Sequence, residues 1–220
     1  EISACLVGSE MCIRDSFHSK DLVNWEQIGH VLDRPSQLQM KDGLKASNGL
    51  WAPTIRYHQG TYYVICTATG CGGNFFVTAD SPEGPYSEPI FIKDAPGIDP
   101  SLFFDEDGTM WYCGSINGDN KIPPRRYPAE DRIYVQQLDP STGQFIGERH
   151  IVSSGYAINS PYAEAPHIYK IKGKYYLMIA EGGTWENHAV SVFTADNIVG
   201  PYTPFICCLL YTSDAADDLT

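Results

Sequence analysis

HIYKIKGKYYLMIAE, residues 167–181, contains an apolar segment, a tight polar turn that ends in glycine, and a second segment rich in aromatic residues. The pattern recurs as TIRYHQGTYYVICTA at 54–68 and as SLFFDEDGTMWYCGS at 101–115. Each stretch predicts a β-hairpin, because β-branched and aromatic runs favour strands and a polar turn with glycine can join two of them. Three such hairpins in a chain of 220 residues indicate a repeated β architecture.

A second element also repeats, as FFVTADSPEGPYSEP at 75–89 and as VSVFTADNIVGPYTP at 190–204. Helical periodicity is almost absent from the chain. Antiparallel repeats of about 40–60 residues are typical of propeller blades, which bury their faces only against one another. The prediction is therefore an all-β fold, an incomplete β-propeller of about three to four blades. A β-sandwich is the alternative, which explains the strands but does not require repeated hairpins with matching flanks.

Charge and cysteine usage narrow the possible partners. The net charge is −12, and the single basic cluster at 125–126 is short, so we expect no nucleic acid and no anionic membrane as a partner. No run of about 18 apolar residues predicts a membrane span. The seven cysteines include no CxxC pair, so we expect buried or free thiols, with neither a metal nor a cofactor.

Three residues occupy matching places in the three hairpins. Trp51, Asp99 and Glu164 each lie nine residues before the turn glycine of their hairpin, and a proline follows each within two residues. The innermost strand of a propeller blade begins near the central channel, so equivalent positions in successive blades converge. The count therefore predicts that these three side chains share one axial pocket.

Two carboxyl groups and an aromatic ring in one pocket fit glycoside hydrolysis. One carboxyl group donates a proton to the leaving oxygen, a second acts as base or nucleophile, and burial beside a like charge raises the pKa of one of them. The face of Trp51 offers an apolar surface to a sugar ring. The alternative is that Asp99 and Glu164 only accept hydrogen bonds at strand ends.

Other polar residues are weaker candidates. Thr184 and His188 lie in one loop and are candidates to line the pocket, with a hydrogen-bonded structural role as the alternative for His188. His167 is interpreted as a strand residue rather than a general base. The acidic turn 105–107 is expected to be solvated, and the spacing does not complete a calcium loop.

Five stretches occur in the order of motifs in glycoside hydrolase family 43, and the chain resembles in particular its β-xylosidase/α-L-arabinofuranosidase branch. They are HSKDLVNWEQIGHVLDRPSQL (18–38), GLWAPTIRYHQGTYYV (49–64), GIDPSLFFDEDGTMWY (97–112), AEAPHIYKIKGKYYL (163–177) and AEGGTWENHAVSVFTADNIVGPY (180–202). The resemblance implies a five-bladed β-propeller with an axial pocket and an inverting mechanism. It also implies a substrate class, xylo-oligosaccharides or arabinoxylan-derived oligosaccharides that end in xylose or arabinose.

The resemblance also implies roles for individual residues. Glu164 would be the general acid, and Asp99 would be the carboxylate that tunes its pKa and orients it. Trp51 and Ala52 would contact the sugar in the −1 subsite. Ala165 departs from the pattern, because the family usually has glycine there, and its methyl group would crowd the backbone beside the acid.

The two ends of the chain do not continue the resemblance. The family's general base is an aspartate in a DPS-type motif upstream of HSKDLVNW, and segment 1–16 has neither that motif nor a hairpin. Asp15 is not assigned as the base, since it lies only three residues before that stretch. Segments 1–16 and 206–220 resemble translated sequencing adapter. We therefore expect a partial propeller domain at 17–205 that lacks the base and is inactive.

Two functions from other classes remain open at this point. The propeller could bind carbohydrate without cleaving it, or it could serve as a structural or interaction module. In the second case, replacing Glu164 would change stability and leave sugar binding intact.

Overall fold

The computed structural model describes residues 2–4, 15–38, 49–117, 125–156, 159–184 and 188–205. These residues form fifteen strands and no helix, so none of them forms a helix that could span a membrane. The strands are β1 (Ile2–Ala4), β2 (Asp15–Ser19), β3 (Trp25–His30), β4 (Leu50–His58), β5 (Thr61–Ala68), β6 (Gly73–Ala79), β7 (Ile90–Phe91), β8 (Ile98–Phe104), β9 (Met110–Asn117), β10 (Asp131–Leu138), β11 (Phe145–Ser153), β12 (Glu164–Ile171), β13 (Lys174–Glu181), β14 (Ala189–Ala195) and β15 (Thr203–Pro204).

In the described part of the chain the strands form four antiparallel sheets, which we call blades 1 to 4. Blade 1 contains β1–β3, blade 2 β4–β7, blade 3 β8–β11 and blade 4 β12–β15, each in chain order. The first strands of neighbouring blades, β4, β8 and β12, lie side by side. The molecule is thus an incomplete β-propeller, as predicted. A β-sandwich would instead stack two sheets face to face.

All three predicted hairpins are confirmed, and their turns differ. The turns at 59–60 and 172–173 contain two residues, and both residues of each have positive φ (46° and 90°; 50° and 80°), as a type I′ turn requires. The third turn is longer, because Phe104 pairs with Met110 and leaves five residues between β8 and β9. This difference in length matters for the register of the acids.

Apolar side chains fill the spaces between neighbouring blades. Phe76 of blade 2 belongs to one buried cluster with Leu102 and Tyr112 of blade 3, and Ile133 of blade 3 belongs to another with Leu177 of blade 4. Burying one large apolar side chain contributes about 1.5–3 kcal/mol. Each blade therefore depends on its neighbour for stability.

Hydroxyl groups also join the inner strands of successive blades. Thr54 Oγ1 of β4 donates to Pro100 O of β8 (3.4 Å), and Ser101 Oγ of β8 donates to Pro166 O of β12 (2.5 Å). Each hydroxyl residue directly follows the proline at the start of its own strand. His167 takes that place in blade 4.

Ser101→Ala is expected to lower the free energy of unfolding by about 1–3 kcal/mol, because it leaves the buried carbonyl of Pro166 without this donor. Thr54→Val removes the corresponding, longer hydrogen bond in the preceding blade and is expected to cost less. Urea unfolding of the 220-residue chain measures both. A larger loss for Thr54→Val would contradict this order.

The acidic turn after β8 is not fully solvated, contrary to the expectation. Asp105 accepts hydrogen bonds from Lys170 Nζ (2.7 Å) and Tyr175 OH (2.5 Å) of blade 4, whereas Glu106 is 80% exposed. The five-residue turn is long enough to reach the next blade, which the sequence pattern did not reveal. Of the cysteines in the described residues, Cys66 and Cys113 are buried, as predicted, and Cys71 is partly buried.

Candidate active site

The backbone around Glu164 is held by blade 3 on both sides. Ser115 Oγ donates to the carbonyl just before Glu164 (2.6 Å), and Ser101 donates to the carbonyl two residues after it (2.5 Å). Between them, Ala165 N donates to Asp99 Oδ2 (3.2 Å). Asp99 and Glu164, which are separated by 65 positions in the chain, are therefore brought together as the sequence predicted.

The register that the sequence count assigned to Asp99 is wrong by one residue. Strand pairing makes Trp51, Ile98 and Glu164 equivalent, because each pairs directly before an irregularity in its hairpin. Asp99 is the next residue along. The error arises from the longer turn of blade 3, which moves Gly108 one residue farther from the start of its strand.

The irregularity that follows Ile98 is a β-bulge, and it explains why the Asp99 side chain still reaches Ala165 N. A slip of one residue in a regular strand would turn the side chain to the opposite face, but a bulge re-aims it. Asp99, Ala52 and Ala165 share this bulge position and have positive φ values of 55°, 47° and 46°. A left-handed conformation costs roughly 1 kcal/mol at a residue other than glycine. Alanine therefore adds strain at residue 165, where the resemblance leads one to expect glycine.

The loop that leads into β8 is fixed from blade 2. Asn74 Nδ2 donates to Ala95 O and to Gly97 O, both at 3.2 Å, while Thr67 Oγ1 donates to Asn74 Oδ1 (2.6 Å). Gly97 has a φ of 81°, and a Cβ atom there would lie 1.8 Å from Ser115 O. The position of Asp99 thus depends on a buried amide that no sequence motif had singled out.

The electrostatics of the site favour a protonated Glu164. Burial, followed by the charges of Asp99 and Asp131, raises the pKa of Glu164 to about 7. Burial also raises the pKa of Asp99, and the hydrogen bond from Ala165 N partly offsets this. Within the described residues, the Glu164 carboxyl group accepts and donates no hydrogen bond. It is therefore free to donate a proton to a ligand near neutral pH.

Asp131, which the sequence reasoning missed, contributes to the electrostatics of Glu164. It is the first residue of β10, it is 4% exposed, and Arg125 Nη2 lies 3.1 Å from its Oδ1. Burial raises its pKa and the ion pair with Arg125 opposes this. The segment was interpreted only as a short basic cluster, and the hairpin count covers the first two strands of a blade, so no pattern pointed to a residue on the third strand.

The four predicted sugar-contact residues form two groups, one on β4 and one between β13 and β14. Trp51, 38% exposed, lies at the start of β4 and Ala52 in its bulge. Thr184 is exposed in the loop between β13 and β14, of which residues 185–187 lie outside the described residues. His188 Nδ1 lies 2.7 Å from Gly183 O, so this nitrogen carries the proton and His188 has a structural partner.

The other histidine and acid considered from sequence have structural partners. His167 lies on β12, as predicted, and its Nδ1 lies 2.9 Å from Arg56 Nη2. Burial and the Arg56 charge lower the pKa of His167 to about 4, which makes it neutral near pH 7. Asp15 Oδ1 on β2 lies 2.6 Å from His30 Nδ1.

Comparison with known proteins gives a consistent family. The family model described as glycosyl hydrolases family 43 matches residues 12–205. A xylosidase/arabinosidase from Butyrivibrio fibrisolvens is 46% identical over 178 residues, which are 80% of this chain and 34% of that protein. A non-reducing end alpha-L-arabinofuranosidase from Bacteroides ovatus is 37% identical, over 92% of this chain and 38% of that protein.

Solved structures agree with these relatives. A GH43_12 protein retrieved from a capybara gut metagenome matches with a TM-score of 0.78 and 40% identity, covering 87% of this chain and 36% of that one. A xylan beta-1,4-xylosidase from Bacillus halodurans matches with a TM-score of 0.76 and 35% identity, covering 88% and 37%. The chain spans about a third of the length of the curated relatives it matches.

Proposed function

Because the chain belongs to glycosyl hydrolases family 43, we propose that it is the acid-bearing part of a longer enzyme that releases terminal xylose or arabinose from xylan-derived oligosaccharides. The observation that carries this proposal is the Glu164 carboxyl group. Its pKa is raised to about 7, and Asp99 lies against the same backbone segment. A protonated carboxyl group beside a second carboxylate is what glycosidic bond cleavage requires.

In the proposed reaction, Glu164 gives its proton to the glycosidic oxygen as the bond to the anomeric carbon breaks. Water attacks that carbon from the opposite face and loses a proton to a base, which inverts the configuration. Asp99 holds the backbone of Ala165 and its charge keeps the proton on Glu164. Trp51 and Ala52, at the start of β4, would contact the sugar, with Thr184 and His188 as further candidates.

The base is proposed to come from outside this chain. The DPS-type motif that holds it in the family has no match in 1–16. We propose that residues 1–11, which precede the family match, and residues 206–220 are non-native. General acid or base assistance contributes about 10²–10⁴-fold per group. The 220-residue chain alone is therefore expected to hydrolyse aryl xylosides at most weakly, and rapid turnover by the purified chain would contradict this.

The decisive experiment uses the longer gene, recovered by sequencing through both ends of this chain. The purified product is assayed with an aryl β-xyloside and an aryl α-L-arabinofuranoside, because the relatives are named as xylosidases and arabinosidases or arabinofuranosidases. Hydrolysis of either substrate supports the proposal and identifies the sugar. Binding of xylo-oligosaccharides without hydrolysis, in a protein that carries a DPS-type motif, would contradict it and favour a carbohydrate-binding propeller.

The activity of the longer enzyme is expected to fall as the pH rises through about 7. Glu164 acts as an acid only while protonated, so its raised pKa, about 7, sets the basic limb of the profile. The pH dependence of kcat/KM for a substrate with a poor leaving group measures this limb, because kcat/KM reports the free enzyme. A limb near pH 4.5, the ordinary pKa of a glutamate, would contradict a raised pKa for the acid.

A further inference from the structure

Residues 125–132, RRYPAEDR, form a charge-paired segment that we call the arginine strap. Glu130 is fully buried and accepts hydrogen bonds from Arg132 Nε (3.1 Å) and from Arg126 Nε (2.7 Å). These hydrogen bonds lower the pKa of Glu130 to about 2. The remaining pair of the strap is Asp131 with Arg125, at 3.1 Å.

The strap is attached to the residues that lead into Glu164. Tyr127 OH donates to Ser160 O (3.0 Å), and Tyr162 N donates to Ala129 O (2.9 Å). Asp131 itself starts β10 and pairs with the last residue of β9, at the end of blade 3 where Asp99 also lies. Strand pairing with β9, together with the hydrogen bonds of Tyr127 and Ala129, therefore holds the start of β10 next to the residues that lead into Glu164.

The two arginine–acid units of the strap differ in exposure. Glu130 has two arginine partners and is fully buried, which makes it a structural anchor. Among the described residues, Asp131 has one such partner, Arg125, whose side chain is 40% exposed, and the Asp131 side chain is 6% exposed. A half-exposed arginine compensates the charge of a nearly buried carboxylate only in part, so this charge still shifts the pKa values of nearby groups. On the site side, the charge of Asp131 raises the pKa of Glu164, and the charge of Asp99 raises the pKa of Asp131.

We propose that Asp131 is a positioning carboxylate of the active site, which holds the proton on Glu164, and that Arg125 limits this effect by its ion pair with Asp131. The inference rests on the proposed function, since it deepens the role of Glu164 as the acid. Asp131 does not touch the reacting atoms in this scheme; it acts through the charge state of Glu164.

Within the described residues, Asp99 and Asp131 are the charged groups that raise the pKa of Glu164. Asp99 acts from β8 and Asp131 from β10. On its own strand, His167 is neutral, while Arg56 of β4 points its Nη2 at that histidine. Asp99 already has a role in the proposed reaction. The Arg125–Asp131 pair is therefore the part of the electrostatic environment of Glu164 that substitutions can change separately.

The test is a titration of the Glu164 side-chain carboxyl carbon by NMR in the 220-residue chain, which needs no substrate and no base. Asp131→Asn is expected to lower the pKa of Glu164 by about one pH unit, and Arg125→Gln to raise it by a similar or smaller amount. The double variant should match Asp131→Asn alone, because Arg125 acts through Asp131. Failure of hydrolysis by the longer enzyme would leave this result unaffected.

Matched controls remove the same charges elsewhere. Asp196→Asn and Lys174→Gln break an exposed ion pair in blade 4, and they should leave the Glu164 titration unchanged. An Asp131→Asn shift no larger than the Asp196→Asn shift would overturn the proposal. If Asp131→Asn does not fold, Arg125→Gln decides alone, since it changes a half-exposed side chain; an unchanged Glu164 pKa in that variant would also overturn the proposal.

Discussion

Glu164→Gln in the longer enzyme is expected to reduce kcat for natural xylo-oligosaccharides by about 10²–10⁴-fold, because the amide has no proton to give to the leaving oxygen. The loss should be much smaller for aryl glycosides whose leaving group is already a weak base. The ratio of the two losses, measured by steady-state kinetics, isolates proton donation from sugar binding.

Glu106→Gln is the matched control, because Glu106 is 80% exposed and belongs to the turn after β8. It should leave both rates unchanged. Equal losses of Glu164→Gln on natural and aryl substrates would contradict the role of general acid. A loss of folding is not expected to explain the result, since glutamine removes a carboxyl group that burial and two acids disfavour in its charged form.

The stability of the wild-type chain depends on pH through the protonation of Glu164. The native state holds the Glu164 proton more tightly than the unfolded chain does, because its pKa is about 7 instead of 4.5. The contribution of Glu164 is therefore most favourable below about pH 4.5 and is lost as the pH rises through 7. Relative to wild type, Glu164→Gln should be more stable at pH 8 than at pH 5 in urea unfolding.

Gly97→Ala is expected to destabilise the chain by about 4 kcal/mol or more, which is at the high end for a single substitution. The new Cβ atom would lie 1.8 Å from Ser115 O, and the φ of 81° is unfavourable for alanine. The backbone must move, and with it the loop held by Asn74 before Asp99. Urea unfolding measures the effect.

Gly60→Ala and Gly108→Ala separate the cost of the steric contact with Ser115 from the cost of the positive φ. Both glycines have similar φ values, 90° and 85°, and a Cβ atom at either would meet nothing within 4 Å. Each should cost only about 1 kcal/mol, the penalty for the conformation alone. A comparable loss in all three variants would mean that the contact with Ser115 is relieved without consequence.

The hairpins and the blade architecture were predictable from residue patterns alone. Alternating β-branched and aromatic residues, polar turns and the two repeated elements are local signals, and the three hairpins and the order of their blades follow from them. The pairing of Asp99 with Glu164 was also predicted, because hairpins that repeat in sequence place equivalent strand starts at one axis.

The details of the site depend on contacts between residues far apart in the chain. The longer turn of blade 3 places Gly108 one residue farther along and so shifted the counted register of Asp99, and only the bulge returns its side chain to Ala165 N. Asn74 and Asp131 belong to no recognised motif. Their roles follow only from the packing of blades 2, 3 and 4 against one another. Local pattern thus sets the strands, whereas burial and hydrogen bonds between blades set the charges, because desolvation and Coulomb interactions depend on distance in space rather than on separation along the chain.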